Sequence, residues 1–79
     1  MSVRLKNSCG KKTYINVERG GSTLQTWVGS STSEDMVTDD GDAIVITDEK
    51  HNAKIARAVV EPGIKEIEIV GDCTRMSSH

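Results

Sequence analysis

Apolar and polar side chains alternate with a period of two along most of the chain. Such alternation places successive side chains on opposite faces of an extended backbone. In Ser2–Ser8, Val3 and Leu5 alternate with Arg4 and Lys6. In Lys12–Glu18, Ile15 and Val17 face one way, and Tyr14, Asn16 and Glu18 the other. In Thr23–Gly29, Leu24, Thr26 and Val28 share one face, and Gln25 and Trp27 the opposite one. A short strand at Met36–Thr38, then Ala43–Thr47, Ala53–Val60 and Ile64–Val70, complete the predicted set.

Turn chemistry separates these runs. Asn7–Lys11, Arg19-Gly20-Gly21-Ser22, the small polar stretch 29–35, Asp48–Asn52 and Glu61-Pro62-Gly63 each break the pattern, because Gly supplies positive φ and Pro removes a donor. Asp39-Asp40-Gly41-Asp42 carries the Asp-Gly pair of a type I′ hairpin between two apolar runs. Lys50–Val60 is the one stretch with a helical alternative, through Ala53, Ala56 and Ala58, but its alternation and β-branched end favour a strand.

Short strands separated by turn signals at roughly 8–12-residue spacing predict an all-β fold, a small antiparallel β-sandwich or barrel of six to seven strands. The predicted domain is 1–73, and residues 74–79 read as a polar C-terminal tail. The predicted inward set is Val3, Leu5, Ile15, Val17, Leu24, Val28, Ile44, Ile46, Ile55, Val59, Ile67 and Ile69.

Composition agrees with this pattern and adds one constraint. Eight Val, seven Ile and seven Thr against two Leu suit a pleated sheet, and with no Phe, one Trp and one Tyr the core must be aliphatic and thin. A chain of 79 residues buries a small share of its surface and benefits from a disulfide or a partner. Cys9 and Cys73 could supply the disulfide; the alternative is two separate thiols in a reducing compartment.

The net charge of −2 hides an asymmetry. Residues 1–33 carry Arg4, Lys6, Lys11, Lys12 and Arg19 against Glu18 alone, whereas residues 34–49 carry seven acids and no base. One reading is that basic and acidic strands pair across a sheet. The other is a dipolar surface suited to head-to-tail contact or a charged partner. Nucleic acid is not expected, since no basic stripe interleaves with aromatics. No apolar run has the length of a signal peptide or a membrane span, so synthesis in the cytoplasm, with no membrane contact, is the expectation.

No constellation of catalytic residues stands out, and the expectation is a non-enzyme without cofactor or metal. Asp39, Asp40 and Asp42 lack the offsets and closing Glu of an EF-hand loop, so they read as a solvated turn. Cys9 or Cys73 with His51 lacks any supporting nucleophile pattern. Gly20-Gly21 leads into a strand rather than a helix and so makes no phosphate loop.

Tyr14 and Trp27 fall on the face opposite the predicted core. If their strands form a hairpin through Gly20-Gly21, both rings lie on its outer face and mark a contact surface. The alternative places Trp27 in the core through a register shift. Small β-domains of this kind serve by fold analogy as accessory or decorating subunits of larger assemblies such as a phage particle, bound to a protein partner or to copies of themselves. Two other functions stay open. One is an inhibitor or regulator that binds its target through the acidic 34–49 segment, with Asp39, Asp40 and Asp42 at the contact. The other is a carbohydrate or ligand module built on Trp27.

Overall fold

A computed structural model describes residues 2–79; Met1, where the predicted domain begins, lies outside the described residues. The described residues form eight strands: β1 (Ser2–Asn7), β2 (Thr13–Arg19), β3 (Ser22–Val28), β4 (Ser33–Val37), β5 (Ala43–Thr47), β6 (Lys54–Val59), β7 (Glu66–Val70) and β8 (Arg75–Ser78). They form two four-stranded sheets. Sheet A has the order β4-β1-β7-β8 and sheet B the order β3-β2-β5-β6. The described residues contain no helix, and so none long and apolar enough to cross a membrane.

The inner faces follow the alternation. Val3 and Leu5 of β1 and Ile67 and Ile69 of β7 pack against Ile15 and Val17 of β2, Val28 of β3 and Ile44 and Ile46 of β5. The shortest dimension of the molecule is 16 Å, which leaves room for one layer of side chains between sheets spaced ~10 Å apart.

The structure corrects the sequence reading at five places. The strand count is eight, because Arg75–Ser78 is no tail: it pairs antiparallel with β7, and Met76 packs on the core. The sandwich is not wholly antiparallel, since β1 and β7 run parallel in the centre of sheet A. Asp39–Asp42 does not close a hairpin, because β4 lies in sheet A and β5 in sheet B. Its Asp42 N–H does bond the Asp39 carbonyl at 3.1 Å with Gly41 at φ 89°, but the turn is then held by Val60, which bonds both Gly41 and Asp42.

The fourth correction concerns β6. Ile55 and Val59 point outward, whereas Ala56 and Ala58 pack on the core. Across the ladder, Ile46 faces Ala56 and Ile44 faces Ala58, so bulky side chains of β5 fill the space and only small partners fit. A register shift between Ile46 and Thr47 accommodates the additional residue. The fifth is Leu24, which lies on the inner side of its strand yet is 64% exposed, at the edge of sheet B.

One end of the sandwich is fastened covalently. Cys9, after β1, and Cys73, after β7, form a disulfide with Cα atoms 5.1 Å apart. Beside it the Asn7 amide, expected in a turn, is buried at the end of β1. It donates to the carbonyls of Lys11 (2.8 Å) and Val28 (3.1 Å) and accepts from the Cys9 N–H (3.0 Å). Both sheets are thereby tied at that end.

Candidate functional site: the outer face of sheet B

The β2–β3 hairpin turns on two residues, Gly20 at φ 55° and Gly21, and pairs Tyr14 directly with Trp27. The two rings therefore stand side by side on the outer face, as the alternation predicts, and Trp27 is 50% exposed rather than core. Lys12, just before β2, reaches over both: its ammonium is 4.3 Å from the Trp27 ring centroid and 5.1 Å from that of Tyr14. A cation in this position is attracted by the negative faces of the rings.

The turn after β5 extends the cluster. His51, at φ 59°, bonds through Nδ1 to Asn16 Oδ1 at 2.8 Å, and its ring meets Tyr14 edge-on at 5.7 Å. Asp48 secures this turn by accepting the Asn52 N–H at 2.8 Å, a bond that holds its carboxyl below the usual range. Farther along the face, Glu18 accepts Lys54 at 2.8 Å and lies 3.8 Å from Arg57, so its carboxyl also titrates low, first through the Lys54 bond. Val45 sits between Asn16 and Arg57 in the ladder and is fully buried although it faces outward. Next to Tyr14 a recess of about 360 Å³ opens at the disulfide end, lined among others by Lys12, Thr47, Glu49, Ile55 and Asp72.

The acidic candidates do not join this cluster. Asp42 is buried: it accepts Arg19 Nε (3.0 Å) and Nη2 (2.9 Å) together with the Asp39 N–H (2.9 Å). The Arg19 bonds, first, hold its carboxyl below the ordinary carboxylate range. Asp39 and Asp40 are exposed at the same turn, with Asp39 3.7 Å from Arg19. On sheet A, Asp35 lies 3.6 Å from Arg4. Asp35, Asp39 and Asp42 of the acidic segment thus meet Arg4 and Arg19 of the first strands across the fold.

No protein-family model, curated protein or solved structure matches this chain.

Sequence reasoning missed one group of chemically capable residues. Glu66, Glu68 and His79 on the outer face of sheet A place one ligand atom each within 4.8 Å of one another. His79 is not readable there from sequence, because Arg75–Ser78 becomes a strand only through its pairing with β7. Glu68 is already engaged by the Ser8 hydroxyl at 2.6 Å and by His79 at 3.6 Å, and these neighbours, Ser8 first, keep its carboxyl low.

Proposed function

We propose that the chain is a non-enzymatic interaction domain, an accessory or decorating subunit of a larger assembly such as a phage particle. It docks a protein partner on the outer face of sheet B. The single observation that carries this reading is the exposed Trp27–Lys12–Tyr14 cluster beside an open recess. Trp and Tyr are the side chains that most often dominate protein interfaces, and both are held here by strand pairing at little entropic cost. The outer face of sheet A, by contrast, sets opposite charges across the ladder, Arg4 between Asp35 and Glu66 and Lys6 opposite Glu68, with Arg4 3.6 Å from Asp35.

A protein fits the cluster better than a sugar. Carbohydrate stacking needs an open ring face, and Lys12 occupies one face of Trp27 at 4.3 Å. The test is a photo-crosslinking residue in place of Ile55, at the rim of the recess, used in the native source. Crosslinked partners should be lost on Trp27→Ala or Tyr14→Ala with the fold intact by circular dichroism. Partner capture unchanged by both substitutions overturns the reading, and Trp27 fluorescence that responds to glycans favours the ligand module.

A further inference from the structure

Four strands form the sheet edges, and three of them carry features that oppose pairing with another chain. β4 presents Glu34 and Asp35, β6 presents Lys54 and Arg57 beside an irregular register, and β8 is four residues long with Arg75 at its start. β3 has none of these. Its seven residues, Ser-Thr-Leu-Gln-Thr-Trp-Val, include no charge, no Pro and no Gly, and all but Thr26 and Val28 are exposed.

The phase of its free hydrogen bonds follows from the hairpin. A two-residue turn makes the flanking pair, Arg19 and Ser22, the first hydrogen-bonded pair of the ladder. Hydrogen-bonded and non-hydrogen-bonded pairs then alternate, so Ser22, Leu24, Thr26 and Val28 bond to β2. Thr23, Gln25 and Trp27 direct their backbone N–H and C=O groups out of the edge. These three residues are symmetric about Gln25.

We propose that β3 pairs antiparallel with β3 of a second copy about a two-fold axis at Gln25, joining two B sheets into one. In this register Gln25 faces Gln25, and Thr23 faces Trp27 of the other copy. All three outward residues are in phase, giving about six backbone hydrogen bonds. Small faces large in the Thr23–Trp27 pairs, and no like charges meet. Self-pairing of β4 about its middle would instead bring Asp35 against Asp35. The two aromatic clusters would then lie on one continuous face. The inference concerns the edge, not the face, and holds whether or not the face binds another protein.

The test is sedimentation and amide exchange on the full chain, with the disulfide intact, up to about 1 mM, because a single ladder is smaller than a standard interface and binds weakly. A dimer should form with concentration. The amides of Thr23, Gln25 and Trp27 should gain protection as it forms, while those of Leu24 and Thr26 stay protected throughout. Gln25→Lys and Gln25→Glu, on an exposed side chain opposite Asn16, should each weaken the dimer at least ~10-fold, and mixing the two should restore it. A monomer at every concentration overturns the proposal, as does a dimer indifferent to both substitutions or one that protects β4, β6 or β8. Lys12→Ala and Tyr14→Ala should leave dimerisation unchanged while removing partner binding, which separates the failure of this inference from failure of the docking reading.

Discussion

Breaking the Cys9–Cys73 bond tests whether this thin sandwich depends on its covalent link. The bond spans a sequence separation of 64, most of the chain. In the chain-entropy treatment, closing a loop of that size removes about 14 cal/mol/K from the unfolded ensemble, or roughly 4 kcal/mol at 25 °C. A domain of this size shifts its melting temperature by about 4–8 °C per kcal/mol, so loss of the bond should lower it by about 20–30 °C. The effect is also local. Cys73 stands between β7 and β8, and β8 is an edge strand of four residues. Its amides should lose exchange protection first, ahead of those in the central strands β2 and β5. The assay is calorimetry with amide exchange on the oxidised protein, the reduced wild type and the Cys9→Ser/Cys73→Ser double variant. The reduced wild type matters because it keeps both sulfur atoms beside the Thr13 hydroxyl, 3.1 Å from Cys73, so polarity changes in the variant do not confuse the reading. A shift under about 5 °C on reduction, with β8 as protected as before, would refute the reasoning.

Asn7→Ala should cost about 1–3 kcal/mol in urea unfolding, because it removes a buried amide that donates to carbonyls of two different segments, Lys11 and Val28. Thr38→Val should be neutral or stabilising by up to ~1 kcal/mol, since Thr38 Oγ1 is the buried side-chain polar atom without a partner among the described residues; a clear loss of stability would contradict this. Glu18, Asp42, Asp48 and Glu68 all titrate below their ordinary values when folded. The unfolded chain therefore binds more protons, so their contribution is full above about pH 4.5 and is lost as pH falls through the folded values. Urea midpoints should drop in that window, and Asp42→Asn should lower stability at neutral pH and flatten the acid limb.

The fold was most legible where alternation coincided with large aliphatic side chains. Val3 and Leu5, Ile15 and Val17, and Ile67 and Ile69 went inward as their period demanded. It was least legible where a strand is defined by its neighbour. The segment Arg75-Met76-Ser77-Ser78 has one apolar residue and no pattern of its own, and only β7 makes it a strand. In β6 the larger hydrophobes suggested the inner face, but the space had already been filled from β5, and the alanines took it. The Asp39–Gly41 turn was located correctly and its destination was not. Local turn chemistry says where a chain bends, whereas the sheet it enters next was decided by Arg19 and Val60, distant in sequence, which grip Asp42.

The same distinction applies to the candidate site. Tyr14 and Trp27 were readable because both belong to one hairpin, whose turn fixes which faces they share. Lys12 over the two rings and His51 edge-on to Tyr14 were not, since one depends on a side-chain rotamer and the other on how the 48–52 turn folds back to Asn16. Asp42 was misplaced for a related reason: a hairpin tip would have left it in water, whereas a crossover between sheets carries it inside to Arg19. Once Asp42 is committed to Arg19 and Asp35 stands beside Arg4, less of the acidic segment is left to imitate an anionic ligand. Charge on this molecule works chiefly within the fold and along three of its edges. The uncharged edge at β3 and the aromatic cluster beside it are left as the places where specific contact with another chain costs least desolvation.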